Sequence, residues 1–158
     1  MSKHWIHSLA IASSLALGGA AQAAEIVSVA TEGSFEDVAQ SLSDAIVNRG
    51  FVVDYTAQIG GMLDRTAADV GASTKVYTDA RAMQFCSATL SRHAMEADPQ
   101  NIAFCPYVLF VYELAAKPGE VVVGFRKLDE QGSDASRQAL AEINGVLDGI
   151  VKEAAGVD

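Results

Sequence analysis

The chain has 158 residues, half of them hydrophobic, and carries 20 Asp+Glu against 11 Lys+Arg for a formal net charge of −9. That length accommodates one domain, with or without a targeting segment ahead of it. The acidic balance argues against a nucleic-acid partner, whose binding relies on neutralising phosphates with Lys and Arg, and against an anionic lipid surface for the same reason.

Residues 1–23 open with Lys3, His4 and His7, continue in an apolar run from Leu9 to Leu17, and end in Ala21-Gln22-Ala23. A basic start, a short apolar stretch and an Ala-x-Ala site are the parts of a cleavable signal peptide. The run is too short to span a bilayer, which takes about 20 residues, and no cysteine follows the small residues as a lipoprotein requires. The expected product is residues 24–158, a single domain that is periplasmic or secreted, with no membrane span after cleavage. Cleavage removes one lysine and no carboxylate, so the mature chain is one unit more negative, and His93 is its one histidine.

Along the mature chain, Glu25 to Thr31 alternates and reads as a strand. Ser34 caps a helix with Asp37 in the capping-box position, and Phe35, Val38, Leu42, Ala45 and Ile46 form its apolar stripe. Gly50 ends it. Phe51 to Tyr55 reads as the second strand, Gly60 to Gly71 as a short helix between glycines, and Ala82 to Cys86 as a third strand. Ser87 caps a helix from Ala88 to Ala97, which Asp98-Pro99 stops. Phe104 to Leu114 is almost continuously hydrophobic and so reads as a strand buried on both faces. Lys117-Pro118-Gly119 turns the chain into a hairpin partner, Glu120 to Lys127. A last helix spans about 133–154, with Leu140, Ile143, Leu147 and Ile150 in its stripe. The order predicts an α+β fold, an antiparallel-rich sheet backed by helices in one compact domain. Helices cover only one sheet face, so the doubly apolar strand needs a second cover, and a homodimer supplies it.

Two cysteines remain, Cys86 and Cys105, at the end of one strand and the start of another. In an oxidising compartment pairing is their default fate, and antiparallel neighbouring strands would bring them within disulfide range. A disulfide, whether a structural staple or a redox pair, is therefore the leading reading. Cys105-Pro106-Tyr107 is similar to the start of the Cys-Pro-Tyr-Cys motif of glutaredoxins, but Val108 stands where the resolving cysteine belongs, so dithiol exchange through that motif fails. An alternative joins Cys86, Cys105, His93 and Met95 (or Met83) as soft ligands suited to copper. No Cys-x-x-Cys, His-x-x-His or methionine cluster supports it, and His93 between Arg92 and Ala94 reads as a solvent-facing helix residue. Gly60-Gly61 lacks the Gly-Lys-Ser/Thr of a phosphate loop. Ser87 or Ser91 with His93 makes no nucleophile–base pair, since neighbours two apart on a helix diverge. No catalytic residue and no required cofactor emerge.

Phe85-Cys86-Ser87, Met95-Glu96-Ala97-Asp98-Pro99, Phe104-Cys105-Pro106-Tyr107 and Val111-Tyr112-Glu113, with Gly33-Ser34-Phe35 and Arg49-Gly50-Phe51 upstream, resemble the domain of unknown function 302 family over about residues 26–128. The resemblance implies a compact α+β domain with an antiparallel sheet backed by helices, commonly dimeric, and places this chain in an exported branch carrying both cysteines. It transfers no catalytic residue. The expected function is non-enzymatic binding of a small ligand or partner protein, with a pocket near Cys86, Cys105 and the loop Asp98–Phe104. The alternative is thiol-redox or copper handling by the two cysteines.

Overall fold

The computed structural model describes residues 25–157; the leader read at 1–23 lies outside them. In chain order the elements are β1 (Ile26–Glu32), α1 (Phe35–Asn48), β2 (Tyr55–Gln58), α2 (Ile59–Thr66), β3 (Tyr77–Phe85), α3 (Ala88–Ala97), a 3-10 segment (Pro99–Phe104), β4 (Tyr107–Leu114), β5 (Glu120–Arg126) and α4 (Asp134–Ala155). The five strands form one sheet in the order β1-β5-β4-β3-β2, and every neighbouring pair is antiparallel. This is the α+β arrangement expected.

Local chemistry sets most element limits. Ser34 caps α1 by accepting the Asp37 amide, while its hydroxyl donates to the Asp37 carboxylate at 2.6 Å. Ser87 and Ser133 cap α3 and α4 by accepting the Leu90 and Ser136 amides. Gly156, with φ at +70°, ends α4 in the left-handed conformation that glycine adopts without strain.

α1 and α4 lie side by side and cover one face of the sheet. Phe35, Leu42 and Ile46 from α1 and Leu140, Ile143, Leu147 and Ile150 from α4 bury themselves against Met83, Phe85, Leu109, Val111, Val121, Val123 and Phe125. The helix-facing rows of β3, β4 and β5 are thus the core. α3 and the 3-10 segment form a flap across the end of α4. Asn101 fastens that flap, donating to the Ala94 carbonyl at 2.8 Å and to the buried hydroxyl of Ser136 at 2.9 Å.

Three expectations need correction. β2 lies at Tyr55–Gln58 and not at Phe51–Tyr55, because Phe51 is used for packing: its ring stacks on Phe85 at 5.1 Å and the chain joins β3 only beyond it. β3 begins five residues earlier than the apolar pattern suggests, its first half being polar and half-exposed. β4 is buried on one face only. Tyr107, Leu109, Val111 and Glu113 point into the core, whereas Val108, on the other row, is 40% exposed and Phe110, Tyr112 and Leu114 are half-buried.

Candidate functional site

Three features could host function: the cysteine pair, a cavity beside α2, and the helix-free sheet face. The cysteines follow directly from strand pairing. Phe85 and Tyr107 are register partners on antiparallel strands, so Cys86, just after β3, and Cys105, just before β4, arrive at the same end of the sheet. They are joined as a disulfide with Cα atoms 6.3 Å apart, within the range such a bond requires. Beneath the bond Tyr107 is 3% exposed. Its hydroxyl and that of Ser91 are 2.9 Å apart, and Ser91 Oγ also lies 3.8 Å from Cys105 Sγ. Burial pushes the Tyr107 phenol above its ordinary pKa, and the Ser91 hydrogen bond opposes that shift. The ring completes an aromatic group with Phe85 and Phe51.

The other residues considered as soft ligands are dispersed. His93 points from α3 to Glu142 on α4, Nδ1 to Oε2 being 3.7 Å. Met83 is in the core opposite Leu109, and Met95 is half-buried on α3. Among the described residues, no three His, Cys, Asp or Glu are gathered as a metal site would need. Cysteines joined in a disulfide present no thiolate to ligate a metal.

In the segment Asp98–Phe104, expected to border a pocket, Pro99–Phe104 form a 3-10 helix whose N-cap Asp98 accepts the Gln100 amide. A cavity of about 360 Å³ lies at the opposite end of β3, under the loop that follows α2; Leu63, Val70, Val76 and Tyr77 line it together with the Asp64–Lys75 ion pair, 3.0 Å long. Gly60 is what lets α2 press onto β3 there, since a Cβ would stand 2.8 Å from the Ala80 amide nitrogen. The loop has no regular pattern, so sequence alone carried no signal for the cavity.

The helix-free face has a definite pattern. Its middle rows read Ser28 and Ala30 on β1, Val122 and Gly124 on β5, Val108, Phe110 and Tyr112 on β4, and Ala80, Ala82 and Gln84 on β3. None is charged. Phe110 and Tyr112 stack with centroids 5.9 Å apart, and Tyr112 meets Tyr77 at 5.4 Å, giving an aromatic row that runs to the rim of the cavity. Charges stand only at the ends: Glu32 beside Glu120 at one, Arg126 at the other.

Two charged groups set against the core, Glu113 buried and Arg81 half-buried, have structural partners. Glu113 accepts the Gly119 amide at 2.6 Å and so closes the β4–β5 hairpin. Arg81 is clasped by Glu36 and lies 4.9 Å over the Phe35 ring, tying β3 to the start of α1.

A profile of the family described as domain of unknown function DUF302 matches residues 27–154, which takes in α4. A search of curated proteins returns no match. Among solved structures, the crystal structure of an uncharacterized conserved DUF302 protein from Bacillus stearothermophilus superposes with a TM-score of 0.68 over 82% of this chain and 97% of that one, at 15% identity. At that identity the likeness speaks for the fold, and the profile match speaks for descent: the chain belongs to the DUF302 family.

Proposed function

We propose that this is an exported, non-enzymatic binding domain whose working surface is the helix-free face of the sheet, and that the first occupant of that face is a second copy of the chain. The observation that carries the reading is the uncharged, aromatic middle of that face, on a chain that is otherwise strongly acidic. Two acidic chains meet with least repulsion where neither carries charge. With strands about 4.8 Å apart and about 3.3 Å per residue, the face measures on the order of 500 Å². Two such faces bury about 1,000 Å², the lower limit for a specific association. Export is supported by the leader-like residues 1–23 and by a disulfide, a bond that persists in oxidising compartments.

Molar mass in solution tests the reading. A concentration-dependent dimer is expected, converted to monomer by Tyr112→Glu, which sets a charge in the middle of the face. A wild-type chain that stays monomeric at about 100 µM, far above the dissociation constant of a standard interface, would overturn it. Export is tested by the N-terminus of the secreted product, expected just after Ala23.

The thiol-redox alternative draws on one contact, the Ser91 hydroxyl 3.8 Å from Cys105 Sγ, placed to donate to a Cys105 thiolate. A disulfide whose reduction potential lies below about −300 mV is a staple, and a higher one favours exchange chemistry.

A further inference from the structure

Resting on the self-association proposed above, we infer that the two copies pack sheet to sheet about a two-fold axis running across the strands, so that Arg126 of each copy meets Glu120 and Glu32 of the other. The outward row of β5 reads Glu120, Val122, Gly124, Arg126, since Val121, Val123 and Phe125 are the buried ones. Its two charges are thus about 20 Å apart, six residues at about 3.3 Å each. Arg126 is exposed and makes no ion pair among the described residues, unlike its neighbour Lys127, which pairs with Glu25 at 3.2 Å. At the other end Glu32 is the register partner of Glu120. Lys117 neutralises one of these carboxylates, its Nζ lying 3.0 Å from Glu120. One end of the face therefore carries a net negative charge and the other an unpaired cation.

Two-fold symmetry leaves two ways to stack such faces in near-aligned packing. An axis along the strands lays each end on its own like: Glu32 and Glu120 level with their counterparts, Arg126 level with Arg126. An axis across the strands reverses one sheet and lays each end on its opposite, forming the same ion-pair cluster twice. It also brings Phe110 of one copy level with Tyr112 of the other, because these residues flank Val111, the register partner of Val123, which lies midway between Glu120 and Arg126. Charge complementarity selects the second arrangement and fixes orientation more than it adds affinity.

A charge-swap pairing tests this. R126E makes all the end charges of the face acidic; E32K/E120K makes them basic. Each variant alone should dissociate roughly tenfold more readily than wild type, and an equimolar mixture should regain wild-type mass as a heterodimer, one cluster being restored with its signs reversed and the other keeping the native pairing. All three positions are on the surface, and unfolding midpoints equal to wild type at concentrations where every chain is monomeric verify that the variants fold; R126Q provides a milder probe of the same contact. A wild-type dimer that R126E leaves unaffected, or a mixture no better associated than its components, would overturn the orientation while leaving self-association intact. A monomeric wild type would remove both.

Discussion

The ring of Phe110 lies across the sheet onto Gly124, its register partner on β5, and fills the space that a side chain there would occupy. A Cβ on residue 124 would stand 2.6 Å from Phe110 Cζ and 2.5 Å from the Val27 carbonyl oxygen. One neighbour is a side chain and can move; the other is backbone of a paired strand and cannot. Gly124→Ala should therefore lower stability by about 1–3 kcal/mol, as overpacking does, even though alanine ordinarily gains through the unfolded chain. Removing the ring as well, in a Phe110→Ala background, should reduce the clash only in part. Urea unfolding of the two single variants and the double variant measures the coupling.

The Cys86–Cys105 bond spans 19 residues of sequence that contain α3 and the 3-10 segment. Closing a loop of that size stabilises by about 3 kcal/mol in the chain-entropy model. Reduction, or Cys86→Ser with Cys105→Ser, should lower the urea midpoint accordingly while leaving the sheet assembled, because Phe85 and Tyr107 still pair. The native protein should show no free thiol until denatured and reduced.

Tyr107 gives the fold an alkaline limit. Its phenol is pushed above the ordinary value of 10.0 by burial. The folded state therefore holds that proton more tightly than the unfolded state does, and stability falls as pH rises past the unfolded value. Tyr107→Phe should cost about 1 kcal/mol near neutrality through the lost Ser91 hydrogen bond, and it should flatten the decline above pH 10. Stability followed from neutral to alkaline pH separates the two effects; a parallel offset at every pH would contradict the assignment.

Much of this architecture was legible in the sequence because it follows from short-range chemistry. Ser34 and Ser87 announce two helices, and Lys117-Pro118-Gly119 announces the hairpin. The cysteine pairing followed from reading 86 and 105 as the ends of neighbouring strands. What could not be read is tertiary. The hydrophobic run through β4 looks two-sided because pattern cannot distinguish a face that helices cover from one they leave open. Phe51 and Val53 look like strand residues because they are apolar, whereas they serve the core from an extended segment. The cavity beside α2 depends on how an irregular loop folds back over Tyr77, and His93 and Met95 separate from the cysteines because α3 turns them elsewhere.

Acid should act on two clasps at the helix layer. Glu36 is held below its ordinary carboxyl value of 4.5 by its hydrogen bond from Arg81, and Glu153 by hydrogen bonds from Asn48 and Arg49. A depressed folded pKa means a contribution that is present above the unfolded value and lost as pH falls through the folded one. Both carboxylates are solvent-exposed, so each effect is small. The double variant Glu36→Gln, Glu153→Gln should lose less stability than wild type on acidification below pH 4.5, and the difference between the two curves should shrink with added salt, which screens exposed pairs.

Asn144 holds the turn between β5 and α4 as a strand would. From the buried face of α4 its Oδ1 accepts the Leu128 amide at 2.8 Å and its Nδ2 donates to the Leu128 carbonyl at 2.9 Å, with a further bond to Glu130 at 3.0 Å. Leu128 is itself buried in the core, so water cannot readily replace the lost partners. Asn144→Ala leaves both a donor and an acceptor without partners; at about 1–3 kcal/mol for each buried unsatisfied group, the loss should exceed that of deleting an ordinary surface hydrogen bond. Asn144→Asp keeps the acceptor for the Leu128 amide but sets a carboxylate against the Leu128 carbonyl and Glu130, so it should be no milder. Hydrogen exchange at the Leu128 amide distinguishes this from general loosening: protection there should fall in both variants more than at the Leu109 and Val111 amides in the centre of the sheet. Equal loss of protection across all three would mean that Asn144 contributes to packing and not to the turn.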